Sequence, residues 1–145
     1  MDLDVQTLRQ EAHVDRSPAV GAAFDSSAEI AAARLMAREF LTSLQAEHGL
    51  PVPPQTMGVV QLVVSELVTN ASKYAPGPCL VDLELKGGAV EISVWDSSTT
   101  LPSVQAADPE RIGQHGLEIV MAVCQSFSVH RAPVGKRIAA SVALG

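Results

Sequence analysis

The sequence predicts an α+β fold: a two-layer sandwich in which a mixed, mostly antiparallel sheet is covered on one face by three helices. Three observations carry this. Two long stretches with apolar residues at helical spacing come first, over 26–47 and 55–74. Two alternating runs, 79–86 and 89–96, then flank Gly87-Gly88, a two-residue hairpin signal. A short apolar helix and a second hairpin close the chain. Hairpins cannot cover their own apolar face, so the helices must pack against it.

Bulk properties set the limits. The chain has 145 residues, 47% of them apolar and only 3% aromatic, so its core is aliphatic. We expect residues 1–17, with mixed charge and no sustained period, to be a flexible segment and 18–145 to form one domain. A net charge of −6 argues against nucleic acid or an anionic membrane as the main partner. It leaves room for a small anionic ligand held by backbone N–H groups. The two cysteines, Cys79 and Cys124, lie far apart among apolar neighbours and show no metal-ligand or redox spacing. The first residues are acidic and polar, no stretch reaches the length of a membrane span, and a cytoplasmic location is expected.

The elements follow in order. Ala19 to Phe24 is a short first strand, although Gly21-Ala22-Ala23 is weak strand material. Ser26 or Ser27 caps the first helix, with Glu29 at capping-box spacing from Ser26. Ile30, Ala33, Leu35, Met36, Phe40, Leu41 and Leu44 are its apolar positions, recurring at three and four residues, and Gly49 with Pro51, Pro53 and Pro54 stops it. The second helix, Gln55 to Tyr74, ends at Pro76-Gly77-Pro78. In the first hairpin Cys79, Val81, Leu83 and Leu85 share one face, and so do Val90, Ile92 and Val94. Residues 97–115 form a long connection without apolar period, the length of a lid or binding loop. Leu117, Val120, Met121 and Cys124 mark a short helix, and strands at 127–131 and 136–144 surround Pro133-Val134-Gly135.

Three polar features stand out against this apolar frame. Glu66, Asn70 and Lys73 recur at i, i+4 and i+7, so they share one stripe of the second helix, opposite Val60, Val63, Val64, Leu67 and Ala71. Taken alone the stripe reads as a solvated edge or as one wall of a site. Asp96 falls in phase with Val94, toward the core, where a carboxylate needs a partner. Gly113 to Gly116 open a helix whose backbone N–H groups suit an anion.

The order and separation of these features resemble the Bergerat nucleotide-binding fold, the GHKL superfamily of gyrase-type ATPases, histidine kinases and mismatch-repair ATPases. SELVTNASKYA is similar to its N-box, VWDSSTTLP to its first glycine box and GQHGLEIV to its second. The resemblance runs from about Ala28 to Leu144 and is strongest to the small single-domain serine/threonine kinases that act as anti-sigma factors, and to their actinobacterial relatives. It implies Mg²⁺ and ATP as cofactors. Asn70 would bind Mg²⁺ through its amide oxygen, and Glu66 would act as the general base beside the γ-phosphate. Lys73 would reach a phosphate, although it reads equally as a surface lysine. Asp96 would accept a hydrogen bond from the adenine amino group. Ser98 belongs to the nucleotide loop, and Gly113, Gln114, His115, Gly116 and Leu117 would close on the phosphates; His115 reads equally as an exposed lid residue. One departure is plain: the first glycine box lacks its glycines at Ser97 to Thr100.

Two functions follow. In the first, the protein is a regulatory kinase that phosphorylates a small anti-sigma antagonist protein, sequesters a sigma factor, or both; the family implies a homodimer. In the second, it is a nucleotide-binding partner-switching module without phosphotransfer, which the altered glycine box favours. A histidine-kinase fragment fits poorly, because no phosphoacceptor helix pair is present. Trp95, on the outward face of its strand, reads as strand packing or as a partner surface.

Overall fold

A computed structural model of the chain describes residues 17–25, 27–74, 77–96, 116–131, 133 and 135–145. The described residues form five strands and three α-helices: β1 (Ala19–Asp25), a 3₁₀ turn (Ser27–Glu29), α1 (Ile30–His48), α2 (Pro54–Tyr74), β2 (Pro78–Lys86), β3 (Ala89–Asp96), α3 (Gly116–Val123), β4 (Ser126–Arg131) and β5 (Lys136–Ala143). The strands make one sheet in the order β1-β2-β3-β5-β4, and all four pairings are antiparallel, where a mixed sheet was expected to be mostly so. The α+β two-layer arrangement is as the sequence predicts. Among the described residues no helix is long and apolar enough to cross a membrane.

Local chemistry explains most boundaries. Gly87 and Gly88 both have positive φ, 55° and 79°, the conformation a two-residue hairpin needs, and Lys86 pairs with Ala89 across them. Gly49 ends α1 in the left-handed region at φ 64°, and the Leu50 N–H donates to the Leu44 carbonyl at 3.1 Å. Pro54 opens α2 at the first helical position, where a missing N–H costs nothing. The start of α1 corrects the expected cap. The residue before the helix is Glu29, with no side-chain cap of its own, and a 3₁₀ turn takes up residues 27–29. The Glu29 carboxylate reaches back and accepts from the Asp25 N–H at 2.6 Å, while Ser26 lies outside the described residues.

The strength of β1 comes from its neighbour. It lies at the sheet edge, paired with β2 along its whole length. Gly21 sits against the Asp82 carboxylate, in space that any Cβ at residue 21 would need. The glycine that weakens the strand intrinsically is what lets Asp82 lie across it.

The core lies between the sheet and the helices. Val60, Val63, Val64, Leu67, Val68 and Ala71 of α2 are buried, and they meet Val81, Leu83, Ile92, Val94, Ile138 and Ala140 of the sheet. Each such side chain contributes about 1.5–3 kcal/mol on burial. This helix packs on α1, α3, β2, β3 and β5. It is therefore the central element of the helical layer, and its orientation is set from several sides.

Candidate functional site

Because the apolar side of α2 is fixed by the core, its polar stripe is fixed too. Glu66 and Asn70 are half-buried on it, one helical turn apart, and Lys73 at the last turn is exposed. The Asn70 Oδ1 is buried and has no hydrogen-bond partner among the described residues. A buried amide oxygen without a donor costs about 1–3 kcal/mol, so its retention asks for a reason. Its neighbours on the helix use their polarity locally. Ser65 and Thr69 donate back to the Gln61 and Ser65 carbonyls at 2.9 and 2.7 Å.

The start of α3 meets this stripe. Gly116, its first residue, lies so close to Glu66 that a Cβ there would run into the Glu66 carboxylate. The carboxylate is thus held at the positive end of a helix, and only glycine leaves it that place. Leu117 turns its side chain into the core and anchors the helix start. Two walls predicted from separate motifs are therefore adjacent: Glu66 from the first, Gly116 and Leu117 from the second.

Asp96 ends β3 on the core side, as its phase predicts, and it is buried. Its partner is one that the reading of the residues missed. Lys136, the first residue of β5, pairs directly across from Asp96 in the sheet. Its Nζ donates to Asp96 Oδ1 at 3.2 Å and lies 3.0 Å from Oδ2, with the lysine side chain 0% and the aspartate side chain 2% exposed. The inward carboxylate needs a partner, and this protein cation compensates its charge. Half of the signal was legible: Lys136 is in phase with Ile138, Ala140 and Val142, so it faces the core, while its place beside Asp96 depends on the β3–β5 register.

The cysteine nearby is shaped by the same burial. Desolvation, with the Asp96 charge added to it, pushes the Cys79 thiol above its ordinary value. Both free cysteines are accordingly protonated packing residues at neutral pH. Ser98, Gly113, Gln114 and His115 lie outside the described residues.

These groups fit a magnesium–nucleotide ligand in one testable respect. Mg²⁺ takes hard oxygen donors, and the buried Asn70 Oδ1 is such a donor with its lone pairs uncommitted among the described residues. A concavity of about 380 Å³ lies against Gly21, Asp82, Glu91, Ser93, Trp95 and Arg137, and its lining includes none of Glu66, Asn70, Asp96, Gly116 and Lys136.

Comparison with known proteins bears on the family and the fold. The model of the histidine kinase-like ATPase domain family matches residues 26–142. The histidine kinase domain from the Erythrobacter litoralis EL346 blue-light activated histidine kinase is similar in fold, with a TM-score of 0.50 and 19% identity over 77% of this chain and 61% of that one. A second structure of that blue-light activated kinase matches with a TM-score of 0.47 and 24% identity over 64% of this chain and 32% of that one. The chain thus spans about 61% of the first of these and 32% of the second. No curated protein matches the sequence.

Proposed function

We propose, from the premise that this chain belongs to the histidine kinase-like ATPase domain family, that it binds Mg-ATP and acts as a regulatory serine/threonine protein kinase of the anti-sigma-factor type. The observation that carries the reading is the buried Asn70 Oδ1, uncommitted among the described residues and one turn from a Glu66 carboxylate held against the start of α3. In this reading Asn70 holds the metal. Bound Mg²⁺ would supply charge neutralisation between phosphate oxygens. Glu66 accepts the proton of the attacking hydroxyl, or orients it, while the backbone at Gly116 and Leu117 faces the phosphates. Lys73 is exposed beside them and adds positive charge. Asp96 accepts from the exocyclic amino group of adenine.

The protein substrate is proposed to be a small anti-sigma antagonist that presents a serine or threonine, with a sigma factor as the sequestered partner. Homodimeric assembly and a cytoplasmic location belong to the same proposal. A second reading has its own observation. The stretch Ser97-Ser98-Thr99-Thr100 has no glycine, where the family pattern carries glycines after the aspartate. That favours a partner-switching module that binds nucleotide and partner without transferring phosphate.

Incubation with ATP, Mg²⁺ and the antagonist protein separates the two. The kinase reading expects one added phosphate on the antagonist by intact mass, lost in Glu66→Ala. Nucleotide binding without any added phosphate would select the partner-switching module instead. Transfer that persists in Glu66→Ala would remove the base assignment while leaving the kinase.

A further inference from the structure

We infer that Lys136 is a positioning residue of the nucleobase subsite, one that makes the exocyclic amino group of the purine the feature recognised there. This rests on the ATP-binding reading above, in which Asp96 meets the base. Three observations carry it. Lys136 and Asp96 are direct partners across β3 and β5, Asp96 as the last residue of β3 and Lys136 as the first of β5. The ammonium engages both carboxylate oxygens, at 3.2 and 3.0 Å, with both side chains buried. The two strands also support α2, which carries Asn70.

The physical consequence follows from the donor and acceptor inventory. An ionised carboxylate only accepts hydrogen bonds; a protonated one also donates. An aspartate buried without compensation becomes neutral instead of keeping its charge. Lys136 therefore ion-pairs with the Asp96 carboxylate, donating to Oδ1 with its Nζ 3.0 Å from Oδ2, and so fixes its rotation. An acceptor so fixed is satisfied by a purine 6-amino group, through a charge-assisted bond. It is left facing a C–H if that amino group is absent. The ammonium acts through the carboxylate, and nothing in the argument requires it to touch the base.

The test measures a ratio, so that a general loss of structure does not imitate the effect. Wild type, Lys136→Met and Lys136→Arg are titrated with ATP and with purine riboside triphosphate, which lacks only the 6-amino group. Wild type should prefer ATP by about 10- to 100-fold, the range for one charge-assisted hydrogen bond. In Lys136→Met the preference should fall to within about threefold, and Lys136→Arg should restore much of it. A Lys136 with a structural role only would weaken both ligands together and leave the ratio intact, which would overturn the inference. Absence of binding by wild type to either ligand would overturn it together with the ATP-binding reading.

A second measurement needs no variant to fold: in wild type the ammonium nitrogen resonance of Lys136 is followed on adding each ligand. A clear shift with ATP and a much smaller one with the purine analogue is expected. Equal shifts, or none with ATP bound, would contradict the coupling.

Discussion

Lys136 and Arg137 are neighbours on β5 that point to opposite faces of the sheet, and each pairs with a carboxylate on β3. Lys136 faces the helices and is wholly buried with Asp96. Arg137 faces away from them. It donates to Glu91 at 2.9 Å and to Ser93 at 2.8 Å, and its guanidinium lies 5.4 Å from the ring centroid of Trp95. Trp95 in turn donates to Asp82 at 3.2 Å. The Arg137–Glu91 side chains are 23% and 22% exposed, so water screens the pair and can replace either partner. The same chemistry therefore has two meanings. On the open face it is a network of weak, replaceable links. On the helical face it is a pair in which neither charge can be spared, and it sits at the candidate site.

Removing one partner from each pair sharpens that contrast. Lys136→Met should destabilise by about 3–5 kcal/mol in urea denaturation, because it strands a buried carboxylate. Replacing both partners, as in Lys136→Met with Asp96→Leu, should recover most of that loss. Arg137→Ala should cost only about 1 kcal/mol, combining an exposed ion pair with a cation–π contact. Its effect should shrink further at ~1 M salt, where the screening length is about 3 Å. Equal losses for the two single variants would break the comparison.

A smaller effect distinguishes site geometry from stability. Gly116→Ala places a methyl group where the Glu66 carboxylate lies. That carboxylate is the flexible end of its side chain and can swing away, so stability should change by less than ~1 kcal/mol, the scale of an off-rotamer shift. Phosphotransfer should nonetheless fall if Glu66 is the base. Burial away from the site has a pH signature. Desolvation pushes the Cys124 thiol from 9.0 to about 11. The folded state favours the neutral thiol, so this contribution is whole below pH 9.0 and is lost as pH rises toward about 11. Thermal melts of wild type and Cys124→Ala across that interval should converge as pH rises.

Particular residues show what could be read from the sequence. The hairpin at Gly87-Gly88 was legible because glycine takes two successive positive φ values without strain. The stripe of Glu66, Asn70 and Lys73 was legible because the apolar side of α2 left it one orientation. The inward turn of Asp96 was legible from strand phase, but its partner comes from a strand forty residues later, and the β3–β5 register is a tertiary fact. Gly21 read as a weak point because its use, admitting the Asp82 side chain, depends on a neighbouring strand. The cap of α1 went astray for a similar reason. Glu29 had a choice of backbone N–H groups, and the 3₁₀ turn at 27–29 brought Asp25 within reach.

The central claim is that the amide oxygen of Asn70 is kept uncommitted for a metal that arrives with the nucleotide. Calorimetric titration of ATP into wild type and Asn70→Ala, each with and without Mg²⁺, tests this directly. Wild type should bind with an affinity that Mg²⁺ raises, and Asn70→Ala should lose that dependence while remaining folded. Binding that is absent in wild type, or equally dependent on Mg²⁺ in both proteins, would contradict it.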